Sequence, residues 1–90
     1  PEARDALIGM LHSDDMEIRR TAVIALSSFD GTEERILPCL RDPDWAVRVA
    51  AVEVLGKKAA EKVRSEMEKL LDEEEDPAVK KALEEVLNVR

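Results

Sequence analysis

Leu40–Gly56 reads LRDPDWAVRVAAVEVLG, a helix start, an apolar face and a helix stop in one run. Asp42 is placed to accept hydrogen bonds from the free amides of a first helical turn, as an N-cap does. Pro43 suits the first helical position, where its missing N–H costs nothing and its fixed φ already fits. Asp44 adds negative charge near the positive end of the helix dipole. Val47, Ala51, Val54 and Leu55 then recur at i, i+4, i+7 and i+8, the spacing of one buried face. Gly56 can take the left-handed conformation that ends many helices. The stretch therefore reads as a helix over 43–55.

Looser copies flank it. A shift of 29 places Leu11 on Leu40, Ile18 on Val47, Arg19 on Arg48, Ala22 on Ala51 and Leu26 on Leu55, with Ser13 on Asp42. A shift of 32 places Val47 on Val79, Arg48 on Lys80, Ala51 on Leu83 and Leu55 on Leu87. Asp76-Pro77 lies closer to Val79 than Asp42-Pro43 does to Val47, so a different loop is expected in the third copy. Periods of this length indicate stacked helical hairpins.

Working outward, residues 3–12 form a first helix with Ala3, Leu7, Met10 and Leu11 on one face and Ile8 exposed. A second helix, 14–29, buries Ile18, Ala22, Ala25, Leu26 and Phe29. Asp30-Gly31 is a turn dipeptide, and Thr32 caps a third helix over 33–41 that Pro38 kinks. The fourth helix is apolar around most of its circumference, as a middle layer requires. A fifth helix, 58–72, buries Val63, Met67, Leu70 and Leu71. The acidic run Asp72–Asp76 reads as a solvated loop. A sixth helix, 77–88, buries Val79, Ala82, Leu83, Val86 and Leu87. The expected fold is an all-α, α-α superhelix: six helices in three stacked hairpins. It forms a single domain over 1–90, with repeats at about 1–31, 32–57 and 58–90.

Composition supports this. The 90 residues are 44% hydrophobic but include one Phe, one Trp and no Tyr, so aliphatic side chains must fill the core. A net charge of −7 repels nucleic acid and anionic membranes, which excludes both as expected partners. One cysteine allows neither an internal disulfide nor a CxxC-type metal site. With no signal peptide or long apolar run in the sequence, the expected location is cytoplasmic. The chain starts at Pro1, which implies either a removed initiator Met or a piece of something longer; a fragment is expected to show an apolar end.

The pattern L-x-D-P-D-x-x-V-R-x-A-A-x-x-x-L-G, carried by Leu40, Asp42, Pro43, Asp44, Val47, Arg48, Ala50, Ala51, Leu55 and Gly56, resembles a HEAT repeat. It most resembles the short bacterial and archaeal kind named after phycobilisome lyases. The resemblance implies a ladder in which a turn Asp and a basic residue six positions later link neighbouring repeats. Asp42 and Arg48 match that pair, whereas Ser13–Arg19 matches only at the base and Glu74–Lys80 loosely. An incomplete ladder is expected, with Ser13, Arg19, Asp42, Pro43, Arg48, Asp76 and Pro77 as its structural caps and rungs.

No catalytic set emerges. His12 is the sole histidine and reads as a solvated surface residue, so the di-iron chemistry of a related hydroxylase has no ligands here. Cys39 stands where these repeats carry an aliphatic residue and reads as a small core hydrophobe. The acidic run lacks the spaced ligands and turn glycine of a calcium loop. No cofactor or metal is expected, and no enzyme activity.

Binding remains. Opposite the core, the second helix of each hairpin carries matching rows: Arg20, Val49 and Lys81, then Ile24, Glu53 and Glu85. Trp45, with Met16 at the matching position, borders them and reads first as a cover over the neighbouring repeat and second as an anchor. The resemblance implies that such helices line the concave side. The expected function is a non-catalytic protein-interaction or scaffolding module whose partner is another protein, with oligomeric state open. The alternative is an enzyme-associated module or fragment of a bilin-lyase-like protein.

Overall fold

Hydrophobic periodicity turns into six helices in a computed structural model that describes residues 2–58 and 61–88. They are α1 (Glu2–Met10), α2 (Met16–Leu26), α3 (Glu33–Ile36), α4 (Trp45–Gly56), α5 (Glu61–Glu73) and α6 (Pro77–Leu87). A 3-10 segment, Leu37–Arg41, continues α3. No strand occurs among the described residues. α1 packs on α2, α3 with its 3-10 extension on α4, and α5 on α6, while α4 lies against both α2 and α6. This is the all-α stack of three hairpins that the repeat implies.

α4 is the middle layer because its side chains leave no other choice. Val47, Ala50, Ala51, Val52, Val54 and Leu55 are all buried, so α4 is covered on several sides at once. Burying a Leu or Val side chain stabilises by roughly 1.5–3 kcal/mol, and the small Ala50 and Ala51 let neighbouring helices approach. α5 and α6 have narrower faces. Val63, Met67 and Leu70 are buried in α5, and Val79, Ala82, Leu83 and Leu87 in α6. Leu71 and Val86 are only half-buried.

The first hairpin departs from expectation. Ile18 is 41% exposed, although its counterpart Val47 is fully buried. α4, which carries Val47, is packed between α2 and α6, whereas α2, which carries Ile18, packs on α1 and α4. Val23, not singled out by the periodicity, is fully buried instead, as is Val52 at the matching position of α4. Ala25 and Phe29 are half-buried, and so is Ile8, which packs against the core rather than standing exposed. Ala3 is exposed and Met10 is 45% exposed. α2 ends at Leu26, short of Phe29.

Pro38 does not kink a helix. The segment changes from α to 3-10 at Leu37, since proline has no N–H to continue the α pattern and its ring crowds the carbonyl one turn back. Thr32 does not cap α3 with its side chain. Its hydroxyl turns back to the carbonyls of Phe29 (3.0 Å) and Leu26 (3.3 Å), closing the frayed end of α2. Gly31, at φ +76°, makes the turn between them.

Gly56 also works differently from expectation. It is the last residue of α4 and is not left-handed. A Cβ there would stand 2.7 Å from Val86 Cγ2 and 3.1 Å from Cγ1. Glycine is needed for the close approach of α6 and not for a helix stop. A left-handed cap does occur at Asn88, which ends α6 with φ 57°.

Candidate functional site

Three capping turns set the inner helices in register. Asp15, Asp44 and Asp76 are the N-caps of α2, α4 and α6, each accepting an amide of the first turn. Asp42 is therefore not the cap of α4, and Pro43 stands outside the helix. Two residues before each cap, Ser13, Asp42 and Glu74 accept the N–H of Asp15, Asp44 and Asp76 in the same way. The 29- and 32-residue shifts thus superpose equivalent turns, and the third loop is not different. Pro77, at the first position of α6, matches Trp45 in α4 and Met16 in α2.

A ladder of arginines ties these turns together. Arg19 donates from Nε and Nη2 to the two Asp42 oxygens (2.8 and 3.1 Å) and from Nη1 to the Ser13 carbonyl (2.8 Å). Arg48 repeats the grip one hairpin on, with Glu74 at 2.8 and 3.1 Å and the Asp42 carbonyl at 2.7 Å. Each arginine reads the turn of its own hairpin and holds the acid of the next. The expectation of an incomplete ladder fails, because the pairing runs forward to the next turn and Glu74 can stand in for an aspartate there. Two-pronged pairs of this kind add geometric specificity as well as energy.

The environment of each rung fixes its charge. Side-chain exposure is 4% for Glu74 and 17% for Arg48. Burial alone would push the Glu74 carboxyl up. The Arg48 hydrogen bonds and the backbone amides of Asp76 and Glu75 outweigh it and hold the carboxyl below its ordinary value. The acidic run is therefore more than a solvated loop: Asp72 and Glu73 finish α5, Glu74 holds Arg48 and Asp76 caps α6. Behind the ladder, burial together with the Asp42 charge pushes the Cys39 thiol up to about 11. Cys39 is 7% exposed and stays a protonated core residue.

With the caps in register, the outward rows align by count. Arg20, Val49 and Lys81 lie five residues past their caps, and Ile24, Glu53 and Glu85 lie nine past them. Arg20, Lys81, Glu53 and Glu85 are exposed and Val49 is half-buried. Ile24 is 44% exposed and Trp45 51%. More than half of Trp45 is in solvent, one helical turn before half-buried Val49 on α4. On the far side, α3 is joined to α5 by Lys62–Glu34 (3.0 Å) and to the turn after α4 by Lys58–Glu33 (3.8 Å). The 3-10 extension adds Arg41 to Glu66 and Glu73, at 3.6 Å each.

Other candidates hold less chemistry. His12 is exposed on the turn after α1. Among the described residues, no three His, Cys, Asp or Glu side chains are grouped to hold a metal ion. A shallow groove between the end of α4, α5 and α6 is lined by Leu55, Val63, Met67, Val86 and Leu87 and rimmed by Glu61 and Arg64. Arg64 spans it to donate to the Leu87 carbonyl (3.1 Å), so its charge serves the helix end.

Compared with known families, residues 30–88 match the HEAT repeats, more than half of the chain. The chain belongs to the HEAT-repeat family. HEAT repeats generally mediate protein–protein contacts or act as scaffolds. The match begins after the first hairpin, yet α1 and α2 carry the same cap, the same arginine and the same forward rung as the matched HEAT hairpins. Neither the comparison with curated proteins nor that with solved structures yields a match. No helix among the described residues is long and apolar enough to cross a membrane.

Proposed function

We propose that this chain is a non-catalytic interaction or scaffolding module that receives another protein on the outward rows of α2, α4 and α6. The observation that carries the reading is the 51% exposure of Trp45 on a face that the ladder holds in register. A large aromatic left in solvent by a well-packed helix is a common anchor at protein interfaces. Exposed Ile24 extends the apolar surface on the neighbouring helix. The module works in the cytoplasm without a cofactor, and nucleic acid and membranes are not its partners, in keeping with the net charge of −7. The narrower likeness to the phycobilisome-lyase type is supported by the arginine–acid ladder.

The test is the variant Trp45→Ala with Ile24→Glu. Both side chains lie outside the core, so the melting curve should stay within a few degrees of wild type. Capture of the natural partner from the host should be lost. Undiminished capture by the folded double variant overturns the assignment of this face.

A further inference from the structure

We propose that the row Arg20–Val49–Lys81 selects an extended peptide segment of defined chemistry: two acidic residues six positions apart, with a bulky apolar residue between them. The inference rests on the binding role proposed for this face. Val49 and Trp45 form an apolar centre on α4, and the two flanking helices each place a cation at the same level. Neither Arg20 nor Lys81 makes an ion pair among the described residues, whereas the arginines of the ladder and Lys62 are all paired. Their charges are available to a partner.

The spacing follows from the packing. α2 and α6 lie on opposite sides of α4, and packed helix axes stand about 8–10 Å apart. Arg20 and Lys81 are therefore on the order of 20 Å from each other. An extended chain rises about 3.3 Å per residue and turns alternate side chains to one face. Residues 1 and 7 of such a segment reach the two cations, and residue 3 or 5 meets Val49 and Trp45.

The neighbouring row sets the register. One turn further along, Ile24, Glu53 and Glu85 replace cation, apolar residue and cation with apolar residue, acid and acid. A segment slid into that row would bring its second acid against Glu85 and its centre against Glu53. Like charges brought together disfavour the wrong position more than attraction favours the right one. The same acids oppose a nucleic acid, whose phosphates repeat at every nucleotide and would meet them.

Trp45 is the only tryptophan and there is no tyrosine, so its fluorescence reports the site directly. The full chain is titrated with the peptides ESLSLSE and KSLSLSK and with oligo-dT. ESLSLSE should shift Trp45 emission and bind about tenfold or more tighter than KSLSLSK, with the preference fading at high salt. The variant Arg20→Glu with Lys81→Glu should reverse that preference. Equal affinity for the two peptides, or a preference unchanged in the variant, overturns the charge assignment while leaving the binding face standing. Tighter binding of oligo-dT than of ESLSLSE overturns the peptide in favour of nucleic acid. If neither peptide binds and a random seven-residue library selected on the protein yields nothing sensitive to Trp45→Ala, the inference and the binding face both fail.

Discussion

Arg48 and Glu74, 26 residues apart, meet as two parallel hydrogen bonds of 2.8 and 3.1 Å with the carboxylate almost wholly covered. Removing one partner strands the other. Arg48→Ala should destabilise by about 2–4 kcal/mol, because it leaves a buried carboxylate without its cation. Glu74→Gln keeps the acceptor and should cost about 1 kcal/mol. Replacing both with Met should cost less than the two single Met changes added together, as urea unfolding of the cycle will show. Additive losses would mean that the pair does not act as a unit.

Glu74 also makes stability depend on pH. Its folded-state pKa lies below the ordinary carboxylate value, so the unfolded chain takes up a proton first as pH falls. The stabilisation is therefore complete above about pH 5, and is lost as pH drops through the ordinary value of about 4.3 and then the folded one. The urea midpoints of wild type and Glu74→Gln should converge between pH 6 and pH 3. A constant gap would remove Glu74 as the source.

Gly56 is constrained by a neighbour and not by its own backbone. Gly56→Ala should gain up to about 1 kcal/mol of helix propensity, yet lose about 1–3 kcal/mol from the clash with Val86. The net effect should be destabilising. In a Val86→Ala background the same substitution should become neutral or stabilising, which thermal melts of the four proteins will decide.

Cys39 should resist alkylation. With its thiol pushed up to about 11 and 7% exposed, the reactive thiolate is scarce and hard to reach at pH 7. Iodoacetamide labelling followed by mass spectrometry should be slow in the native protein and rapid in urea. Fast native labelling would contradict the buried placement.

Equivalent positions should differ in cost where their burial differs. Ile18→Ala, at 41% exposure, should cost about 1 kcal/mol or less, whereas Val47→Ala in the covered middle layer should cost more, about 2 kcal/mol. Matching urea midpoints for the two would deny the middle layer its covering role.

The repeat was legible because helical spacing constrains every turn of α4, α5 and α6, and Val47, Ala51, Leu55, Val79 and Leu83 are where the periodicity puts them. Ile18 and Val23 were not legible from α2 alone. Which of them is buried depends on the presence of a neighbour on each side, a tertiary fact. The cap of α4 was misplaced by two residues because Asp42 and Asp44 both suit the role. Local chemistry does not reveal that Arg19 has already engaged Asp42. The forward direction of each rung was hidden for the same reason: Arg48 is close in sequence to Asp42 but spends its charge on Glu74. The outward rows could be counted from the repeat, whereas the exposure of Trp45 could not, since a first-turn aromatic packs or projects according to the adjacent hairpin.

The two rungs span different lengths of chain, 23 residues from Arg19 to Asp42 and 26 from Arg48 to Glu74, and yet close with the same atoms at the same distances. The stack is thus indexed by its turns and is indifferent to the length of what lies between them. The short α3 with its 3-10 extension and the longer, continuous α5 fill the same slot. A difference in the length of the outer segments leaves the inner helices aligned. A surface built on the inner helices can therefore keep its pattern of charges while the outer face of the same chain drifts.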